Sequence, residues 1–395
     1  MNPMRTDFSK LDLQRLPPLA FVVDEVAIRQ NLEILQRVQH ASGAKILAAL
    51  KAFSMWHFGP LTSSYLSGTC ASGLHEAQLA ADYYISKNSG GENHVFSAAY
   101  SEADLKQILT FANVVVFNSF NQWQRFQPLL KRAKAQRPNL SFGLRINPQH
   151  SEGAVPIYDP CAPGSRLGIP LSEFEGQDLS GIDGLHFHTL CEQDFKPLQR
   201  TLAVVEERFG HLLPQMQWVN FGGGHHITRA DYQVEELIAA VKTFAERYQV
   251  QVYLEPGEAI AIGSGVLVAE VLDVTHTDIN QAILNTSATC HMPDTLEMPY
   301  RADILNAGEA NEYAHTYRLG GMTCLAGDVI GDYSFKQPLQ VGDRLIFEDM
   351  AHYTMVKTTT FNGTKLPAIV AWNSDTDELK VVKSFSYDDF KNRLS

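Results

Sequence analysis

Lys51, Arg145, His188, the run Gly222-Gly223-Gly224 and the triplet Glu255-Pro256-Gly257 are the residues whose types could do chemistry together. A lysine amine can bond covalently to an aldehyde. Consecutive glycines let backbone N–H groups approach an anion closely. A carboxylate can keep a ring nitrogen protonated, and a flat imidazole can stack on a ring. Together these are the demands of pyridoxal phosphate. Each residue has a plainer reading by itself. A lysine after a strand is usually solvated, a glycine run is more often a turn, and a carboxylate before Pro-Gly can cap a turn. A metal site is the competing reading, because His186 and His188 lie two apart and would share a face of a strand. His225-His226 adds nitrogens, but it follows the glycines, and no His-Glu-x-x-His occurs.

These residues need a scaffold that brings them to one rim. Eight short apolar runs precede them: 46–50, 68–71, 94–97, 114–117, 141–146, 184–188, 218–222 and 252–256. Most lack polar alternation, as strands buried on both faces do. Helical periods lie between several of them. Ile28, Leu32, Leu35 and Val38 share a face behind Asp24, a candidate N-cap, and Leu74, Ala77, Ala81 and Tyr84 mark another helix. Eight strands alternating with helices predict a (β/α)8 barrel, with its chemistry at the C-terminal ends of the strands. A doubly wound open sheet is the rival fold. Beyond residue 262 the runs 266–274, 281–285 and 344–347 are separated by turn signals, and long helical periods are scarce until 387–394. This predicts α/β plus β: a barrel over residues 24–262 and a mainly β domain from 1–23 and 263–395. The run 20–23 is not needed by the barrel and is expected to cross into the β domain.

Composition narrows the function classes. The chain has 395 residues, 45% of them hydrophobic, enough for more than one core. Its 32 basic and 44 acidic residues give a formal charge of −12, which argues against nucleic acid as a partner. The five cysteines are odd in number, scattered and without a Cys-x-x-Cys pair, so a disulfide framework is not expected. The first 16 residues carry no apolar segment, and the apolar stretch 259–274 is broken by Gly263-Ser264-Gly265 and carries Glu270 and Asp273. It falls short of the ~18–20 apolar residues of a membrane span. The cytoplasm is the expected compartment, with no membrane partner.

At this point an ordered set of motifs resembles the fold-type III, alanine-racemase-like decarboxylases that use pyridoxal phosphate. The set is Pro18–Asp24, Ala49–Phe53 around Lys51, Gly68–Ser72, Leu144–Pro148, Arg166-Leu167-Gly168, His186–Cys191, Gly222–Gly224, Glu255–Gly257, Gly320–Cys324 and Phe347–Asn362. The resemblance covers nearly the whole chain. It implies that Lys51 carries the cofactor covalently and that Arg145, His188, Gly222, Gly223, Gly224, Glu255, Gly257 and Tyr353 bind it. It also implies a homodimer in which Cys324 of one chain enters the active site of the other and donates a proton to the substrate.

Departures from the family pattern point to a branch. Relatives generally read Glu-Pro-Gly-Arg, and here the fourth residue is Glu258. The Arg-Pro pair that holds a distal carboxylate in diaminopimelate decarboxylases is replaced by the stretch Met292–Pro299, with Asp294 and Glu297. The cysteine motif continues Leu325-Ala326-Gly327-Asp328, and Cys191 stands where relatives usually carry a phosphate-binding serine. This resembles the branch that decarboxylates carboxynorspermidine or carboxyspermidine in polyamine biosynthesis. Glu258, Asp294 and Asp328 are the expected ligands of its protonated tail. The alternatives are a diaminopimelate or other basic amino-acid decarboxylase, and a non-catalytic regulatory relative.

Overall fold

The first strand, β1 (Ala20–Asp24), is buried along its whole length. It opens a chain that a computed structural model describes over residues 6–85, 90–153 and 155–395. Eight parallel strands follow: β2 (Lys45–Ala49), β3 (Gly68–Ala71), β4 (Glu92–Phe96), β5 (Val114–Phe117), β6 (Ser141–Arg145), β7 (Gly184–His186), β8 (Trp218–Asn220) and β9 (Gln251–Leu254). They close into a barrel, because β9 pairs back onto β2 through Lys45 with Tyr253 and Ile46 with Leu254. This pairing removes the open-sheet alternative.

The surrounding helices follow the expected physics. Helix Phe195–Phe209 buries Phe195, Leu198, Leu202, Val205 and Phe209, an apolar stripe at helical spacing. Ser101 and Ser119 cap helices Glu102–Phe111 and Phe120–Gln136 by accepting from the N–H groups of Asp104 and Gln122. In helix Leu74–Tyr83 the buried positions are Ala77 and Ala80, where Ala77 and Ala81 were expected. The strands expected at 184–188, 218–222 and 252–256 stop two residues early, because their ends leave the ladder to build the rim described below.

The barrel interior is filled by Leu47, Val114, Val116, Trp218 and Tyr253. Trp218 lies across two glycines on neighbouring strands. A Cβ on Gly143 would sit 2.3 Å from the indole, and one on Gly184 would sit 2.0 Å from it. The indole Nε1 donates to Ser141 Oγ at 2.9 Å. The glycines are therefore the space that the largest interior side chain occupies.

The chain divides into two compact units, Gln30–Ile260 and the described residues up to Arg29 with Ala261–Ser395. The second unit is a sheet with β1 near its centre. β1 pairs antiparallel with β10 (Gly265–His276). β11 (Asn280–Leu284), β12 (His315–Gly320), β13 (Val329–Phe335) and β14 (Arg344–Phe347) follow, and then β15 (Ala368–Asn373) and β16 (Glu378–Lys383). The order is β13-β12-β11-β10-β1-β15-β16, with β14 pairing to β10. Ala20 and Val22 share one face of β1, and Val266, Val268, Val370 and Trp372 meet them there, closed by Phe8, Leu11 and Leu16. Asp24 accepts from Val26 N–H at 3.1 Å, as its expected capping role requires. It also accepts from the hydroxyls of Thr6 and Ser374, both at 2.8 Å. No helix among the described residues is long and apolar enough to cross a membrane.

Gly184→Ala should lower stability by about 1–3 kcal/mol, the usual cost of overpacking. Thermal unfolding is the measurement. A melting temperature equal to that of the unchanged protein would mean that Trp218 can move aside.

Candidate active site

The barrel rim is built by residues that leave the ladder just after their strands. β2 ends at Ala49, and Lys51 stands two residues beyond it. Its Nζ lies 3.3 Å from His188 Nε2. The side chain is reached from the barrel mouth, yet protein crowds it on the other sides. That desolvation, first of all, pushes the Lys51 pKa down. Arg145 adds to the effect, while Cys70, Glu255 and Cys191 oppose it. A lowered pKa leaves more neutral amine at neutral pH, the form that attacks an aldehyde.

His188 lies two residues past β7. The N–H of Gly223 donates to its Nδ1 at 3.0 Å, so the neutral ring carries its proton on Nε2, the nitrogen nearest Lys51. Burial, then the positive charges of Lys51 and Arg145, drive its pKa well below the usual histidine value. The rim thus presents a neutral, flat imidazole. Arg145 Nη2 donates to His188 O at 3.1 Å, and its guanidinium lies 4.5 Å from the centre of the Phe96 ring. Burial lowers the guanidinium to about 10, so it remains a cation at neutral pH.

Glu255 follows β9 and sits inside the mouth. Burial alone would raise its pKa, but His186 and Asn220 outweigh burial and hold the carboxyl below its usual value. Asn220 Nδ2 donates to Oε1 at 2.7 Å, and His186 Nε2 lies 3.3 Å from Oε2. Cys70, on β3, keeps its thiol proton because burial raises its pKa well above normal, and it adds a hydrogen bond to the same carboxylate. His186 and His188 therefore do separate jobs: one faces Glu255 and the other faces Lys51. Asn220 and Cys70 were not singled out from the sequence. The available signal for Asn220 was an amide at the end of an otherwise apolar strand.

Gly222, Gly223 and Gly224 close the loops against one another. Gly222 and Gly224 have left-handed backbone, with φ of +72° and +84°. A Cβ on Gly223 would sit 2.1 Å from Glu255 O, and one on Gly224 would sit 1.9 Å from Leu190 O. Two of the three N–H groups are already engaged, Gly222 with Asn220 Oδ1 and Gly223 with His188. The run therefore first orients Asn220 and His188 and leaves the rim narrow and free of side chains. Gly257 is demanded in the same way, with Ala52 Cβ 2.6 Å from where its own Cβ would be. Glu258 comes next, and its Oε2 lies 3.1 Å from His226 Nε2.

The second unit holds the remaining expected residues. Cys324 is exposed on the loop between β12 and β13, and its N–H donates to Asn362 Oδ1 at 2.9 Å. Asn362 reaches it from left-handed backbone, φ +58°. Asp328 was expected to meet substrate, but it is buried in its own loop. Its carboxylate accepts from Ser287 Oγ at 2.8 Å, Thr323 Oγ1 at 2.7 Å and the N–H groups of Thr289 and Thr323 at 3.3 Å. Four donors occupy it, so its role is to fold the segment that carries Cys324. Asp294, the other expected tail ligand, accepts from Lys357 Nζ at 2.5 Å, and Lys357 also lies 3.7 Å from Glu297. Tyr353 sits on a turn after β14, with φ +46°.

The barrel donor set fits pyridoxal phosphate: an amine shifted toward neutrality, a neutral imidazole, a guanidinium and an ionised, buried carboxylate around a rim cleared by glycines. Comparison with known proteins agrees. A family profile described as pyridoxal-dependent decarboxylase, C-terminal sheet domain, matches residues 20–351. The chain is 42% identical to a carboxynorspermidine/carboxyspermidine decarboxylase of Campylobacter jejuni, covering 96% of this chain and 99% of that one. It is 44% identical to a carboxyaminopropylagmatine decarboxylase of Synechocystis, covering 97% and 96%. A crystal structure of the Campylobacter jejuni carboxynorspermidine decarboxylase with norspermidine superposes with a TM-score of 0.85 over 95% of this chain and 99% of that chain.

Asp328→Ala leaves two hydroxyls and two N–H groups without their acceptor, each buried loss costing about 1–3 kcal/mol. We expect Cys324 to be alkylated by iodoacetamide faster in this variant than in the parent chain. Equal rates would show that the loop keeps its shape without the carboxylate.

Proposed function

The chain belongs to the pyridoxal-dependent decarboxylases, and from that premise we propose that its substrate is a carboxylated triamine, carboxynorspermidine or carboxyspermidine. The observation that carries the substrate assignment is Glu258. It places a carboxylate three residues after Glu255, where the family pattern has an arginine. A carboxylate there attracts a protonated amine and repels a distal carboxylate such as that of diaminopimelate. The relatives at 42% and 44% identity support the same class. The second of them favours one alternative, a tail ending in the guanidinium of an agmatine unit, which Glu258 could also bind.

Pyridoxal phosphate, when bound, supplies the electron sink that lets the bond between Cα and the carboxylate break, releasing CO2. The chain's own residues do the rest. Lys51 offers the amine that holds the cofactor. Glu255 presents the anion that would keep the cofactor's ring nitrogen protonated, and His186 and Asn220 keep Glu255 ionised. His188 offers its flat face to the ring, while Arg145 and Gly257 complete the barrel's part of the cofactor site. Cys324 supplies a proton from Sγ to the substrate's Cα, which replaces the lost carboxylate. In this reading the working unit is a homodimer in which the Cys324 loop serves the partner's barrel.

Incubation with carboxynorspermidine, carboxyspermidine, carboxyaminopropylagmatine, diaminopimelate, ornithine and arginine, followed by product analysis, tests the substrate class. The first two should be consumed at least tenfold more efficiently than the amino acids, the factor that a difference of about 1.4 kcal/mol represents. A preference for diaminopimelate would reject the reading. Mixing tests the shared site. Lys51→Ala and Cys324→Ala should each be inactive or nearly so, and subunit exchange should restore one intact site of two. If exchange is demonstrated and activity stays absent, the loop serves its own chain.

A further inference from the structure

The glycine run is followed by His225 and His226, two histidines that neither the cofactor nor the mechanism above uses. They differ in kind. His225 is buried, its Nδ1 lies 2.9 Å from Tyr232 Oη, and burial lowers its pKa to about 3. It is a neutral packing residue. His226 bridges two charged groups instead. Its Nε2 lies 3.1 Å from Glu258 Oε2, and its Nδ1 lies 3.4 Å from Arg229 Nη1.

The arrangement is built from several sides. Arg229 is gripped by Asp194 and, through Nε at 2.5 Å, by Asp231. Its guanidinium can only donate, so Nδ1 of His226 is left to accept. Nε2 is then the ring nitrogen turned to the carboxylate side, and it lies in ion-pair range of Glu258 Oε2 without closing a hydrogen bond to it. The backbone repeats the connection. His226 N–H donates to Gln193 O at 3.0 Å, Arg229 N–H donates to His226 O at 2.9 Å, and Thr228 Oγ1 donates to Ala259 O at 2.6 Å. The loop after β8 is thereby fastened to the turn that carries Glu258.

We infer that His226, oriented by Arg229, is a positioning residue that fixes the Glu258 carboxylate for recognition of a cationic substrate tail. The inference rests on the reading of Glu258 as the ligand of that tail. It explains why a carboxylate on a four-residue helix turn, Glu258–Ala261, could act as a selective group. The 3.1 Å approach of His226 Nε2 restricts where that carboxylate presents its charge. It also separates the paired histidines by role, one for packing and one for selectivity.

The test is a double-mutant cycle on the holoenzyme with His226→Phe, His226→Gln, Glu258→Gln and the pair His226→Phe with Glu258→Gln. The readouts are KM and kcat for carboxynorspermidine, and the calorimetric Kd for norspermidine. His226→Phe should raise KM and Kd about five- to tenfold, equivalent to about 1–1.4 kcal/mol, while kcat changes less than twofold. His226→Gln, whose amide can still donate, should recover most of the loss. In the Glu258→Gln background His226→Phe should add less than twofold. Additive effects, or a His226→Phe variant within twofold of the parent, overturn the inference while leaving Glu258 in place. If Glu258→Gln itself stays within twofold, both the tail ligand and this inference fall. A loss through misfolding would appear in both kcat and the cofactor absorbance, and the Gln variant would not recover it.

Discussion

An ionised carboxylate in the mouth of a barrel is costly unless donors surround it, and the active site is organised around satisfying Glu255. Asn220 and His186 do this from the adjacent ends of β8 and β7, and Cys70 adds its thiol from β3. Asn220 in turn receives the N–H of Gly222, and the N–H of Gly223 fixes His188. One buried charge thus sets the orientation of the imidazole that faces Lys51. The strands stop early because these residues need side-chain partners across the rim more than another rung of the ladder.

The second unit uses the same device for shape. Asp328 gathers two hydroxyls and two N–H groups, and Asp24 ties the start of the first helix to Thr6 and Ser374. Each replaces the water a carboxylate would otherwise need with donors from distant stretches of chain. The Cys324 loop is held from both ends, by Asp328 behind it and Asn362 at its backbone. A thiol that must be solvent-reachable and still well placed needs such support, because its own side chain contributes little packing.

The barrel was legible because its strands are short apolar runs whose ends carry unusual residues. The turns after them were also legible: Lys51, His188, Gly222 and Glu255 are brought to one rim as their spacing implied. The second sheet is harder to read. β12, β13, β15 and β16 carry no signal as clear as the barrel strands, and β16 shows why: residues 378–383 are exposed except for half-buried Leu379 and Val382, so no apolar run marks them. The role of β1 was inferable by elimination, but its parallel partner β15 lies at the other end of the chain. At the site, a carboxylate's type is visible in sequence and its donors are not. Asp328 is engaged by Thr323 and Ser287, Asp294 by Lys357, and Glu258 faces His226, and none of these partners is marked by a local pattern.

The central position of β1 also dictates an order of events during synthesis. β1 leaves the ribosome well before its neighbours, which are residues 265–268 of β10 and 368–372 of β15. The barrel, whose eight strands lie within residues 45–254, can close while β1 still lacks both partners. At roughly 5–20 residues per second, that wait lasts on the order of tens of seconds. A strand that is apolar over residues 20–23 and has two open edges is then exposed to any other nascent chain. Phe8, Leu11 and Leu16, which end packed on the same face as Val22, precede it and are available from the start as a local cover. The short N-terminal segment can thus shield the strand from mispairing before it becomes part of the finished core.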